Sequence, residues 1–183
     1  MPEPLVVEVL RGPHVESRHE VDAVVMGADL RRLDVWGDPS RDVLPRSALK
    51  PVQALPLLES GAADAHDLSS AQLAVACGSH GGEPGHVEVI DAWLDRLGLA
   101  ADALECGAHP PIHRPSADAL VAAGLPHDAR HHTCSGKHCG FLCVCRHLGL
   151  PTAGYLDPHH PLQRHHVTPA IEALCGVSLA GRS

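Results

Sequence analysis

Aromatic side chains are nearly absent: Trp36, Trp93, Phe141 and Tyr155 are the only four in 183 residues. Large aromatics normally dominate core energetics, so this core must be built from Leu, Val and Ala, which favours helices and small strands over an aromatic-rich sandwich. No apolar run is long enough to cross a bilayer. The N-terminus, MPEPLVVEVLRG, lacks the basic patch, apolar stretch and cleavage site of a signal peptide, so the expected compartment is cytoplasmic. Basic residues are outnumbered, 14 Lys and Arg against 22 Asp and Glu, and no basic tract could grip a phosphate backbone, which excludes a nucleic-acid partner. There is no internal repeat, no low-complexity tract and no linker. One domain spanning 1–183 is therefore expected.

Two residue types are abundant instead. Sixteen histidines accompany a net charge of -8, and that acidic surplus shrinks as the solution approaches the histidine pKa. The seven cysteines are Cys77, Cys106, Cys134, Cys139, Cys143, Cys145 and Cys175. An odd number without a secretory segment points to free thiols or a metal site ahead of a disulfide framework. No Cys-x-x-Cys pair supports a zinc finger.

Residues 5–11, 21–26 and 31–36 are β-prone, with turn signals at Gly12-Pro13 and Gly27-Ala28-Asp29, and predict a three-stranded antiparallel meander. Helical patterns then occupy 46–59, 69–77, 84–97, 100–105, 116–123, 136–148 and 160–174. Ser69, Ser70 and Ser116 are expected caps, Gly98, Gly124, Gly149 and Gly176 expected stops, and Pro169 an interruption. The fold class expected is α/β. Strands with two faces to cover need partners, and the terminal GVSLAGRS supplies no closing element, so the sheet is expected to be incomplete.

The richest local signal is Arg46-Ser47-Ala48-Leu49-Lys50-Pro51. A serine and a lysine three apart on a helix share a face, the arrangement of a nucleophile served by an amine base. Pro51 is tolerated only in the first turn, which places Ser47 at the helix start, beside unpaired N–H groups. The bland reading is a capping serine and a surface lysine. Next, Cys77-Gly78-Ser79-His80-Gly81-Gly82-Glu83-Pro84 reads equally as a ligand-contacting loop, with Ser79 or His80 as donors, and as a glycine turn. The stretch from Cys106 to His113 has metal-ligand composition, although a proline-stiffened connection is the plainer account. In His131-His132-Thr133-Cys134-Ser135-Gly136-Lys137-His138-Cys139-Gly140, Cys134 precedes an apolar helix and Lys137 sits in its first turn, against the helix dipole. Cys139 and Cys143 read as core thiols. Asp157 to Gln163 reads as a capped turn.

Taken in order, these segments resemble the bacterial L-asparaginase II family of the thermolabile, Rhizobium etli type. The matching residues are Arg11-Gly12, Val15-Glu16-Ser17 with His19, Pro45 to Pro51 with Gln53-Ala54-Leu55-Pro56, Ser79-His80 with Gly82-Glu83-Pro84 and His86, Leu104 to Gly107 with His109-Pro110, Cys134 to His138 with Gly140, Gly154-Tyr155, and His160-Pro161 with Gln163. The resemblance implies a fold like the serine β-lactamases and penicillin-binding proteins, and hydrolysis of L-asparagine to L-aspartate and ammonia. It makes Ser47 the nucleophile, Lys50 its base and Ser79 part of a second serine–lysine arrangement. It makes Cys134 and Lys137 two ligands of a zinc ion that assists binding and does not attack the amide. A lysine ligand must be neutral, which demands a lowered pKa. Arg46, His80 and Glu83 are expected to contact the substrate, on position alone.

Departures from the family pattern are His131-His132-Thr133 for His-Asn-Asn, Glu20-Val21 for Arg-Gly, and Cys139 and Phe141 for a small residue and a methionine. Family members are also longer. Their second part supplies a third zinc-binding cysteine, another active-site lysine and further strands, so the chain reads as lacking a C-terminal part. Two other readings stand beside the asparaginase: a serine hydrolase acting on peptides or β-lactams, and an inactive remnant or regulatory homodimer covering the open sheet.

Overall fold

The computed structural model describes residues 2–180 and is mixed α/β, with small antiparallel sheets first and helices after them. The chain divides into two compact units, Met1–Leu44 and Pro45–Ser183.

In the first unit, β1 (Leu5–Arg11) and β2 (His14–Val21) pair antiparallel, Leu5 opposite Val21 and Arg11 opposite His14. Gly12, in the two-residue connection, has φ +62°, the left-handed value such tight hairpins favour. β3 (Ala23–Met26) and β4 (Arg32–Trp36) form a separate hairpin. The expected three-stranded meander is thereby corrected to two sheets of two strands each. The unforeseen strand is β2, whose HVESRHEV sequence carries too much charge to look β-prone. Its charges find partners only across the pair: Arg18 Nε donates to Glu8 at 2.8 Å, and Arg11 Nε donates to Glu16 at 2.9 Å. The expected strand 21–26 is broken at Asp22, whose carboxylate accepts the Asp38 N–H at 2.9 Å and pairs with Arg41 at 3.1 Å.

The second unit is helical: a 3-10 turn at Arg46–Leu49, α1 (Lys50–Glu59), α2 (Ala62–Ala65), α3 (Ser70–Cys77), α4 (Pro84–Leu97), α5 (Arg114–Ala122), α6 (Ser135–Leu148), a π-helical turn at Gln163–Val167 and α7 (Thr168–Cys175). Helix ends follow local chemistry. Ser69 caps α3 through a reciprocal box with Gln72, its Oγ accepting the Gln72 N–H at 3.3 Å while Gln72 Oε1 accepts the Ser69 N–H at 2.9 Å. Ser116 does not cap α5. The helix begins two residues earlier, and the Ser116 hydroxyl pairs with His113 Nδ1 at 2.8 Å. Pro169 lies in the first turn of α7, where no N–H is needed, and the chain before it widens into the π turn.

α6 is the hub, with α1, α2, α3 and α4 all packed against it. Ser135, Gly136 and the run from His138 to Cys145 are buried. A helix enclosed on so many sides has no room for a polar stripe. Around it lie Leu57, Ile90, Trp93, Leu94, Tyr155 and Leu162, all buried, and each large apolar side chain contributes about 1.5–3 kcal/mol by leaving water. Burial pushes the thiols of Cys143 and Cys145 up to about 11 and raises that of Cys139 as well, which makes them inert core groups. Among the described residues no helix is long and apolar enough to cross a membrane.

Candidate active site

Lys50 opens α1 and is buried, 2% exposed. A buried amine needs acceptors for its hydrogens, and three are provided. Nζ donates to Ser79 Oγ at 2.8 Å, to the Gly78 carbonyl at 3.0 Å and to the Thr133 carbonyl at 3.3 Å. Ser79 Oγ in turn donates to Ser47 Oγ at 3.0 Å. The amine is drawn inward to these oxygens, so Lys50 meets Ser47 through Ser79, where the local spacing predicts a direct contact. Ser47 and Ser79 are both exposed. Arg46, just before Ser47, has φ +48°, unusual for a side-chain-bearing residue and a mark of strain held at this turn.

Three segments must converge for this, and small residues let them. A Cβ on Gly136 would lie 2.2 Å from the Val75 carbonyl oxygen, so α6 and α3 touch through glycine and backbone. That contact brings the end of α3, with Gly78 and Ser79 beyond it, against Thr133 ahead of α6. A Cβ on Gly140 would lie 3.1 Å from Leu57 Cδ1, so the same helix face seats α1.

His80 is 6% exposed. Its main-chain N–H donates to the Thr133 carbonyl at 3.2 Å, and its two ring nitrogens bond to Ser135 Oγ at 2.8 Å and to the Gly82 N–H at 3.2 Å. The structure thus places His80 inside the protein, with its ring nitrogens already occupied. Arg46 and Glu83 are exposed, and neither bonds to Ser47, Lys50 or Ser79; Glu83 precedes α4 without capping it through its side chain. The Thr133 and Gly78 carbonyls have no distinguishing sequence signal, because every residue has a main-chain oxygen, and Ser135 lies in the matching Cys134 to His138 motif without being singled out there.

Cys134 is the N-cap residue of α6, and its Sγ lies 3.7 Å from Thr133 Oγ1. The Lys137 amine lies 5.3 Å from the centre of the Phe141 ring. Burial lowers its pKa, the Cys134 and Cys106 thiols oppose that shift and Lys50 reinforces it. The net direction is the one a neutral amine ligand requires. A thiolate and an amine are two donors of the four a structural zinc takes. Among the described residues no group of three His, Cys, Asp or Glu could hold a metal. These residues therefore fit a zinc ion only in part.

Burial, with help from His86, Lys50, His132 and His131, pushes His80 down to about 4. Burial, with Lys137, His132 and Lys50, pushes His138 down to about 3. Below the ordinary value of 6.5 the unfolded chain takes up protons that these two rings refuse when folded, so stability rises with pH. The contribution is complete above pH 6.5 and is lost progressively toward pH 4. Urea unfolding midpoints are expected to drop steadily between about pH 7 and about pH 4.5; a flat profile across that range would refute this account.

No curated protein matches the chain. The family model of L-asparaginase II matches residues 7–182, nearly the whole sequence, and the chain belongs to that family.

Proposed function

We propose that the chain hydrolyses the side-chain amide of L-asparagine to L-aspartate and ammonia, with Ser47 as nucleophile and Lys50 as base acting through Ser79. The observation that carries this is the hydrogen-bonded chain from Ser47 through Ser79 to Lys50, at 3.0 and 2.8 Å, in a member of the L-asparaginase II family.

The direction of proton flow follows from the partners of Lys50. A neutral amine has two hydrogens and one lone pair. The Gly78 and Thr133 carbonyls only accept, so they take the two hydrogens, and the Ser79 hydroxyl, which accepts from Nζ and donates to Ser47 in the structure, turns to donate to Nζ and accept from Ser47. Ser79 passes its proton to Nζ and takes the proton of Ser47, whose oxygen attacks the amide carbon. The ammonium then returns a proton to the leaving nitrogen, and ammonia departs. This leaves a β-aspartyl ester on Ser47. Water, deprotonated through the same relay, attacks that ester, the relay returns the proton to the departing Ser47 oxygen, and aspartate is released. Arg46 and Glu83 are the proposed partners of the substrate carboxylate and amine. The finer assignments, a serine β-lactamase-like architecture and a zinc ion held partly by Cys134 and Lys137, belong to the same reading. The lowered Lys137 pKa supports the second.

The test is ammonia and aspartate release from L-asparagine in equal amounts, with rapid acid quenching and peptide mass spectrometry to locate the ester. An adduct on Ser47 is expected. A folded chain that releases no ammonia would sink the proposal, and a stable adduct formed by penicillin without asparagine turnover would redirect it to a different serine hydrolase.

A further inference from the structure

His80 spends its main-chain N–H and both ring nitrogens inside the protein. Nδ1 accepts the Gly82 N–H at 3.2 Å, so that nitrogen carries no proton and the ring hydrogen sits on Nε2. Nε2 therefore donates to Ser135 Oγ at 2.8 Å, and Ser135 donates onward to the Arg130 carbonyl at 2.9 Å. Arg130 is itself anchored, its guanidinium pairing with Asp128 at 2.6 Å and Asp91 at 2.9 Å. The imidazole stacks on His86 with ring centres 5.0 Å apart. The main-chain N–H of His80 donates to the Thr133 carbonyl at 3.2 Å, the same oxygen that accepts from Lys50 at 3.3 Å. The residue next to Ser79 is thus tied twice to the segment entering α6, once by backbone and once by side chain.

We infer that His80 is a positioning residue, and that its Nε2–H bond to Ser135 holds the Ser79 hydroxyl between Lys50 and Ser47. The role is exerted through Ser79 and the Thr133 carbonyl, without contact to substrate. This rests on the Ser47–Ser79–Lys50 reading and adds to it a second tier of residues. It also replaces the substrate contact expected for His80 from its position in the sequence.

Three variants test it. Ser135→Ala removes the acceptor and keeps the ring. His80→Ala removes the ring. His80→Gln restores an N–H donor of similar reach. With asparagine, H80A and S135A are expected to lose about 10–100-fold in kcat, with KM within about twofold, and H80Q to recover part of the loss. Unfolding midpoints establish that each variant is folded; should H80A not fold, S135A and H80Q carry the comparison. A loss borne by KM would make His80 a substrate contact and overturn the inference, as would wild-type kcat in the variants. Nitrogen NMR of the imidazole rings supplies a readout independent of turnover. The wild type is expected to show His80 as a neutral Nε2–H ring whose signal moves in S135A, and an Nδ1–H ring overturns the inference. A wild type that releases no ammonia defeats the asparaginase reading alone, and the ring tautomer then decides this one.

Discussion

Ser47→Ala is expected to reduce ammonia release from asparagine by at least about 10³-fold while leaving the unfolding midpoint near that of the wild type. The side chain is exposed, and its hydroxyl bonds to Ser79, so its removal leaves no buried group unpaired. Ser79→Ala is the more informative partner variant. If Lys50 works through Ser79, removing that hydroxyl interrupts the proton path, and about 10²–10⁴-fold of general-base catalysis is lost. Wild-type rates in S79A would mean that Lys50 takes the proton from Ser47 directly, and the relay would be wrong. Lys50→Met is expected to be inactive and also less stable. It leaves the half-buried Gly78 carbonyl without the amine, at about 1–3 kcal/mol for an acceptor left unpaired, while the Thr133 carbonyl keeps the His80 N–H. Steady-state assays read beside thermal unfolding separate the two effects.

The second large effect is expected at Gly136, where α6 meets α3. Its Cβ would meet Val75 carbonyl oxygen at 2.2 Å and the carbonyl carbon at 2.5 Å, both backbone atoms that have no rotamer to change. Gly136→Ala must therefore push α6 from α3 or distort one of them. Overpacking of this kind costs about 1–3 kcal/mol and occasionally more, a fall in Tm of roughly 2–4 °C per kcal/mol for a chain of this size. The same displacement parts Thr133 from Gly78 and Ser79, so activity should fall further than stability alone explains. Gly149, at the other end of α6, is the control. It has φ +66° and nothing within 4 Å of a Cβ. G149A is expected to cost about 1 kcal/mol of left-handed strain and to leave the rate of the folded protein unchanged. Equal losses of activity in both variants would show that the α3–α6 contact has no special bearing on the site.

Much of the helical unit is readable from its punctuation. α4 begins at Pro84 and stops at Gly98, and α6 stops at Gly149, as periodicity and stop residues predict, because glycine in the left-handed conformation ends a helix by local chemistry. β2 is not readable, since the partners that neutralise Glu16 and Arg18 lie on β1. Nor is the start of α5, where His113 takes the hydroxyl expected to cap it. In the site, Ser47, Lys50, Ser79, Cys134 and Lys137 can be singled out from short motifs and from the resemblance those motifs carry. The link from Lys50 to Ser79 cannot, because it joins residues 29 apart, and the Thr133 carbonyl lies 83 residues from Lys50.

The sequence alone determined which side chains are candidates for the site, where most helices stop and, through its ordered motifs, membership of the L-asparaginase II family. These properties are local or are written in residue identity. Tertiary structure alone decided which hydroxyl the buried amine touches, which carbonyls hold it and why His80 faces inward. The reason is that a buried donor must find acceptors wherever the packing supplies them. Here the packing of α3 on α6 through Gly136 supplies main-chain oxygens, which every residue possesses and no motif can mark.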